Sequence, residues 1–203
     1  MTSDSAPLQP TSTVDALPRR FSDFGTLGEA LDYAAQGTRG LNFHDARASL
    51  VRVYPYAQLR DDAQAAAHRL IAAGIVPGDR VAMVAETSAE FAQLFFGAVL
   101  AGAWPVPLPL PTSFGGRDSY IDQLRNQLSS CDPRMLIYPG ELDQMAGAAA
   151  EAEGVVGVDW SELLARPADA VALPTAQADD ICYLQYSSGS TRFPHGVAIT
   201  HRA

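Results

Sequence analysis

Small hydroxyl residues and glycines are concentrated in one segment near the end of this 203-residue chain. An apolar, strand-like run at residues 181–186 leads into residues 187–197, where seven of eleven positions are Ser, Thr, Gly or Pro. Glycine lets backbone amides approach an anion closely, and hydroxyl groups add hydrogen-bond donors to its oxygens. The pattern therefore predicts a phosphate-binding loop, formed by Ser187, Ser188, Gly189, Ser190, Thr191, Arg192, His195 and Gly196.

Arg192 can place a full positive charge on phosphate oxygens, because its guanidinium binds them as a fork. Pro194 and Gly196 restrict how the chain re-enters the sheet, and residues 197–200 form the predicted return strand. The segment matches neither the G-x-x-x-x-G-K-[ST] loop nor the G-x-G-x-x-G fingerprint. Taken alone, a Ser/Gly-rich segment of this kind could also be an ordinary solvated turn.

Strands and helices alternate from residue 26 onward, and they must position this loop. Apolar periodicity predicts helices at residues 26–36, 56–73, 91–99, 118–130 and 141–152, and strands at 40–43, 50–53, 80–85, 135–138, 155–158 and 181–186. Capping boxes are predicted at Thr26 with Glu29 and at Thr87 with Glu90, and a left-handed cap at Gly74. The proline strip at 104–111 is predicted to be extended. This alternation indicates an α/β fold with layered, largely parallel sheets flanked by helices.

Composition sets the limits on domains, location and partners. Residues 1–20 are rich in Ser, Thr, Pro and Asp, which predicts a mobile leader, whereas residues 21–203 are predicted to belong to one large domain. The leader lacks the positive start and apolar run of a secretory signal, and no membrane span is expected, so a cytoplasmic location is predicted. The net charge of −9 argues against sequence-independent nucleic-acid binding.

No predicted role falls on the isolated cysteines and the scattered histidines. Cys131 and Cys182 fit no metal or redox spacing and are expected to be buried free thiols. His44, His68 and His201 form no ligand pattern. No metal site is predicted within the chain.

The segment 186–197 resembles the phosphate-binding signature of the acyl- and aminoacyl-adenylating superfamily, written Y-T-S-G-S-T-G-x-P-K-G-V. The residues that fall on it in order are Tyr186, Ser188, Gly189, Ser190, Thr191, Pro194, Gly196 and Val197. Residues 24–31, the strip G-A-W-P-V-P-L-P-L-P at 102–111 and the F-G-G-R at 114–117 narrow the resemblance to the fatty acyl-AMP ligases. It covers nearly the whole chain from about Phe21.

Two positions depart from that signature. Arg192 stands where a third glycine is usual, and His195 stands where a lysine is usual. We hypothesise that Arg192 neutralises phosphate charge and that His195 contributes a hydrogen bond or a partial charge. The competing interpretation is a weakened ATP site.

The resemblance implies ATP and Mg²⁺ as cofactors, a fatty acid as substrate, and an acyl carrier protein or coenzyme A as the acceptor of the acyl group. In the family the later catalytic residues, including a lysine, lie beyond the matching region, and this chain contains no lysine at all. No catalytic residue is therefore predicted here. The 203 residues alone are expected to be inactive, to need the rest of their own polypeptide, and to expose apolar surface meant for it.

Three alternatives to a fatty acyl-AMP ligase stay open. The chain could belong to an acyl-CoA synthetase. It could be a binding module that keeps the fold but not the activity. It could also be part of an unrelated nucleotide-binding α/β protein.

Overall fold

The computed structural model describes residues 17–21, 23–111, 116–186 and 196–203. The helices are α1 (Leu27–Ala34), α2 (Tyr56–Ala72), α3 (Ala89–Leu100), α4 (Arg117–Cys131), α5 (Ala148–Ala152) and α6 (Trp160–Ala165). The strands are β1 (Gly40–His44), β2 (Leu50–Pro55), β3 (Arg80–Val84), β4 (Trp104–Leu108), β5 (Met135–Tyr138), β6 (Val156–Asp159), β7 (Ile181–Tyr186) and β8 (Gly196–Thr200). The predicted leader lies mostly outside the described residues, and the mobility of residues 1–16 stays a prediction.

Four strands form a parallel sheet in the order β4-β3-β5-β6. β3 pairs with β4 and β5, and β5 pairs with β6, all in parallel. Parallel strands need crossover connections, and helices α3, α4 and α5 supply them between successive strands. The prediction of an α/β fold with a parallel sheet flanked by helices is confirmed.

Both faces of this sheet are covered by apolar packing. One core cluster joins Val84 and Leu136 of the sheet to α4 and α5, through residues such as Leu124 and Ala149. A second joins alternate strand residues to α2, α3 and α6, through Leu70, Leu94 and Leu163. Burial on both faces explains why the strand sequences read as continuous apolar runs instead of alternating.

The prolines of β4 all point the same way. The Trp104 amide donates to the Asp79 carbonyl (2.8 Å), and the Ala85 amide donates to the Leu108 carbonyl (2.8 Å). Because both polar groups of one strand residue point to the same side, Trp104 and Leu108 face β3, whereas Pro105 and Pro107 face away from it. The predicted extended strip is therefore the outer strand of the sheet, where a missing amide costs no ladder bond.

One of the two predicted capping boxes is correct, and the other is wrong by one residue. The Thr26 hydroxyl accepts from the Glu29 amide (3.1 Å), and the Glu29 carboxylate accepts from the Gly25 amide (2.8 Å). At α3, however, the cap is Ser88, whose hydroxyl accepts from the Phe91 amide (3.1 Å). Thr87 has no capping role because the helix begins after Ser88, the residue that holds the extended backbone of a cap.

The predicted helix at residues 141–152 is three pieces. A 3₁₀ turn (Gly140–Leu142), a π-helical turn (Asp143–Gly147) and α5 follow one another. The Tyr138 hydroxyl donates to Asp143 Oδ1 (3.0 Å) at the start of the π turn. Sequence reasoning also missed α6, although Asp159 caps it by accepting from the Ser161 amide (2.6 Å).

Smaller predictions are confirmed. Gly74 follows α2 with φ of 90°, in the left-handed region that favours glycine. Cys131 and Cys182 are buried free thiols, and burial raises the pKa of each to about 11. The exposed large apolar side chains of the described residues, such as Val156 in β6 and Val197 in β8, lie on separate elements, and the apolar surface expected for the rest of the polypeptide stays a prediction.

Candidate phosphate-binding site

The predicted phosphate-binding loop connects the two strands of an antiparallel hairpin. β7 and β8 pair with each other, and their register aligns Tyr186 with Gly196 and Gln185 with Val197. The return strand therefore pairs with β7 in a two-stranded sheet that is separate from the parallel sheet. Residues 187–195 lie outside the described residues, and they include seven of the predicted site residues: Ser187, Ser188, Gly189, Ser190, Thr191, Arg192 and His195.

Gly196 is the predicted site residue that the structure describes. It begins β8, and a Cβ built on it would lie 3.6 Å from the ring of Tyr186, which is ordinary van der Waals contact. The paired ends, Tyr186 and Gly196, thus close the base of the loop. A closed base limits the positions that the connecting residues can reach.

β7 is held by packing on both of its sides. The ring of Tyr183 meets Phe95 of α3 edge to face, with centroids 5.7 Å apart. Leu184 and Tyr186 pack into the core cluster on the other side, next to α4. The alternation of strand side chains lets one short strand contact both layers.

The hydroxyl of Tyr186 fixes the end of β7 to α4. It donates to the Gln127 carbonyl oxygen (3.1 Å). Burial raises the pKa of Tyr186 to about 12, so the hydroxyl keeps its proton and stays a donor at neutral pH. The last described residue before the predicted loop therefore has a fixed position.

The opposite end of the hairpin is held by His201, to which the sequence analysis gave no role. Its backbone amide donates to the Asp180 carbonyl (3.0 Å), and its Nδ1 accepts from the Leu27 amide (3.1 Å). Burial lowers the pKa of His201, and the nearby Asp180 carboxylate opposes that shift. The partners Leu27 and His201 lie 174 positions apart, so no local sequence pattern could have indicated the contact.

Acidic side chains gather where β3 ends. Burial, followed by the charges of Glu141 and Glu90, raises the pKa of Glu86, which follows β3. Within the described ranges, no three His, Cys, Asp or Glu side chains are placed to bind a metal ion together.

The described helices are too short or too polar to span a membrane. None of them combines the length and the hydropathy that crossing a bilayer requires. The longest helix, α2, has 17 residues and carries charged side chains such as Arg60 and Asp61.

Comparison with known proteins places the chain in a family. The family model for AMP-binding enzymes matches residues 41–203. A Caulobacter vibrioides protein with the provisional name acyl-CoA synthetase is 46% identical over 201 residues, which cover 98% of this chain and 34% of that protein. A long-chain-fatty-acid–AMP ligase of Mycolicibacterium smegmatis is 34% identical over 174 residues, which cover 80% of this chain and 26% of that protein.

Solved structures give the same relationship. A structure from a study of fatty acyl-adenylate ligases of E. coli and L. pneumophila is 44% identical, with a TM-score of 0.86, and the match covers 91% of this chain and 34% of that one. The McyG A-PCP structure complexed with phenylalanyl-adenylate is 27% identical, with a TM-score of 0.76, and the match covers 92% and 34%. The chain thus spans about a quarter to a third of the length of these relatives. It belongs to the family of AMP-binding enzymes, and within that family it is related to the fatty acyl-AMP ligases, as the sequence predicted.

Proposed function

We propose that the natural protein carrying this chain activates a fatty acid with ATP. The fatty-acid carboxylate attacks the α-phosphate, the bond to the β-phosphate oxygen breaks, and acyl-adenylate and pyrophosphate result. The acyl group then passes to a carrier-protein thiol, and AMP leaves. Membership of the AMP-binding family supports this proposal, as does the 44% identity to a structure from the fatty acyl-adenylate ligase study.

One observation of the structure carries the assignment of phosphate binding to this chain. The paired residues Tyr186 and Gly196 hold the two ends of a segment made largely of Ser, Thr and Gly. Adenylate formation needs little covalent help from the protein, because positioning the phosphates and stabilising their charge supply most of the rate enhancement. A loop rich in amide and hydroxyl donors suits that task. The loop residues proposed for this role are Ser187, Ser188, Gly189, Ser190, Thr191, Arg192, His195 and Gly196.

The test is fatty-acid-dependent exchange of radiolabelled pyrophosphate into ATP by the natural protein. Exchange supports adenylate formation, and its absence with fatty acids of several chain lengths contradicts the proposal. The 203 residues alone are predicted to give no exchange. The need for Mg²⁺, the rest of the polypeptide as a partner and the cytoplasmic location stay predictions.

The roles of the two unusual loop residues can be separated by substitution. We expect Arg192→Ala to abolish ATP-dependent exchange, because it removes the guanidinium that neutralises phosphate charge. We expect His195→Lys to leave exchange unchanged. If instead Arg192→Ala is harmless and His195→Lys strongly increases exchange, the loop is a weakened ATP site and our assignment of charge to Arg192 is wrong.

An acyl-CoA synthetase is the second candidate, favoured by the provisional name of the Caulobacter relative. Both enzymes would show pyrophosphate exchange, so the acceptor distinguishes them. Formation of acyl-CoA from added coenzyme A supports the synthetase, whereas transfer only to a carrier protein supports the ligase. ATP binding without exchange would indicate a non-catalytic binding module.

A further inference from the structure

We propose that neutral His201 is a positioning residue, which fastens the open end of the β7–β8 hairpin to the start of α1 and releases it on protonation. The contact itself stands on the described geometry. Its effect on ATP binding rests on the proposed function of the loop at the other end of the hairpin.

The contact joins a strand end to a helix end. His201 directly follows β8, and its Nδ1 accepts a hydrogen bond from the amide of Leu27, the first residue of α1 (3.1 Å). The first amides of a helix have no partner within the helix. The Thr26 hydroxyl takes the Glu29 amide, and His201 takes the Leu27 amide. Side chains from both ends of the described chain thus complete the start of α1.

The hairpin shares no hydrogen-bond ladder with the parallel sheet, so side-chain packing and contacts such as that of His201 position it. β7 and β8 form their own two-stranded sheet, although β7 lies close to β4. Tyr186 holds the loop end of the hairpin, and His201 holds the open end. In this proposal, loss of the His201 contact frees the open end of the hairpin, whereas the packing of β7 on α3 and α4 remains.

The bond to Leu27 requires a neutral imidazole with its proton on Nε2. A protonated ring has a donor on both nitrogens, so it would point an N–H group at the Leu27 N–H. It would also place a positive charge at the positive end of a helix. Protonation therefore removes the hydrogen bond and adds repulsion in its place.

Charged groups from three directions surround the ring. Asp180 precedes β7 and attracts a proton to His201. Glu29 and Asp32 of α1 line the same cavity as His201, about 250 Å³ in volume, but Glu29 bonds the Gly25 amide and Asp32 pairs with Arg60. The neighbouring guanidinium, Arg202, pairs with Asp179 (2.7 Å), and the α3 residues at the cavity, Val99 and Leu100, are apolar.

Burial outweighs the attraction of Asp180, so the pKa of His201 lies below its ordinary value of 6.5. A lowered folded-state pKa means that the unfolded chain binds the proton more readily. The contribution of His201 to stability is therefore complete above pH 6.5, and it is lost as the pH falls through the lower folded-state pKa. We expect the release on the acidic side of 6.5.

Three substitutions of His201 distinguish the effect of its hydrogen bond from the effect of having an imidazole ring at this position. In His201→Asn, Oδ1 takes the place of Nδ1 as acceptor and cannot titrate in this pH range. In His201→Gln the acceptor lies farther out, near the position of Nε2. His201→Ala removes the acceptor. Hydrogen exchange of the Leu27 amide in the natural protein, corrected for intrinsic rates, reports the bond without reference to activity.

At pH 7.5 we expect His201→Ala and His201→Gln to lower the protection of the Leu27 amide about fivefold, the weight of one neutral hydrogen bond, and His201→Asn to preserve it. Between pH 7.5 and 5.5 the wild-type protection should fall and that of His201→Asn should stay constant. Equal protection in all four proteins, or the same decline in His201→Asn, would overturn the proposal.

The effect on the loop is read from KM for ATP in pyrophosphate exchange. We expect His201→Ala to raise KM for ATP up to about fivefold with little change in kcat, and His201→Asn to restore it. If the Leu27 protection behaves as expected but KM for ATP is the same in all variants, the coupling to the loop is refuted. If the wild-type protein shows no exchange at all, the proposed function fails while the protection data still decide the contact.

Discussion

Replacing Tyr186 with phenylalanine tests whether the base of the loop is fixed by its hydroxyl. The substitution keeps the ring, which packs into the core cluster next to α4, and removes the hydroxyl, which donates to the Gln127 carbonyl (3.1 Å) and lies near the side chains of Ser130 and Cys131. No cavity forms, because the ring volume is unchanged. The effect is therefore that of one partly buried, neutral hydroxyl group, whose main bond is the one to Gln127.

The size of the effect follows from that bond. A typical neutral hydrogen bond contributes about 0.5–1.5 kcal/mol, and the Gln127 carbonyl lies within a helix and keeps its intrahelical role. We expect Tyr186→Phe to lower the free energy of unfolding by about 1 kcal/mol. If the bond also orders the loop, KM for ATP rises by up to the same factor, about fivefold.

Tyr183 provides a matched control on the same strand. Its ring packs on Phe95, and its hydroxyl makes no hydrogen bond to the part of the chain that the structure describes. Tyr183→Phe should therefore change the free energy of unfolding by less than about 0.5 kcal/mol and leave KM for ATP unchanged. Denaturant unfolding and pyrophosphate exchange measure the two quantities. Equal effects of the two substitutions on both would refute the reasoning.

Two further predictions concern the core. Gly97→Ala should destabilise the protein by about 1–3 kcal/mol in denaturant unfolding, because the added Cβ would lie 2.7 Å from the Cβ of Ala66. Gly28→Ala, also in a helix, meets the flexible end of a leucine at 3.3 Å and should change stability by less than about 0.5 kcal/mol; a similar loss in both variants would contradict this. At pH 8, iodoacetamide should alkylate the native Cys131 and Cys182 at least about a hundredfold more slowly than a free thiol, because burial raises both pKa values from 9.0 to about 11 and also keeps the reagent from the sulfur atoms. Mass spectrometry measures the alkylation, and rapid labelling of the native protein would contradict the prediction by showing that at least one of the two thiols is accessible.

The parallel sheet could be predicted because burial on both faces leaves a strong trace in sequence. The run at β3 is apolar at consecutive positions, and all of Val81 to Val84 are buried. Such a run, bounded by turn residues and followed by a helical period, has few other interpretations. The proline strip at β4 was predicted as extended, but its place at the outer edge of the sheet depends on pairing that no local pattern encodes.

The sequence-based predictions of helix boundaries fail where neighbouring residues have equal preferences for the same local structure. Thr87 and Ser88 are both good caps, and the backbone of the turn after β3 decides between them. The π turn at Asp143–Gly147 inserts into a sequence that otherwise favours a plain helix. Asp159 and Glu162 have the spacing of a capping box, but a helix of six residues is too short to show a clear helical period in the sequence.

The sequence motif predicted the candidate site, but it did not predict the contacts that hold the hairpin in place. The Ser/Gly-rich segment and its flanking strands follow from the sequence, and the structure confirms the strands β7 and β8. The contacts of Tyr186 with α4 and of His201 with α1 join residues 59 and 174 positions apart. Long-range contacts of this kind depend on the packing of whole elements, which a single sequence does not reveal.

The one-sided prolines of β4 also determine how firmly its neighbour can be attached. Pro105 and Pro107 offer no amide to a further strand, so β7 lies close to β4 without a shared ladder. Two strands that touch only through side chains can move past each other by small amounts. Two strands joined by backbone hydrogen bonds can change register only in steps of two residues if their side chains are to keep the same faces. The hairpin can therefore shift slightly along the outer side of β4 without breaking backbone hydrogen bonds of the parallel sheet. The same prolines make this edge a poor partner for a strand from another molecule, because they remove two of its amide donors.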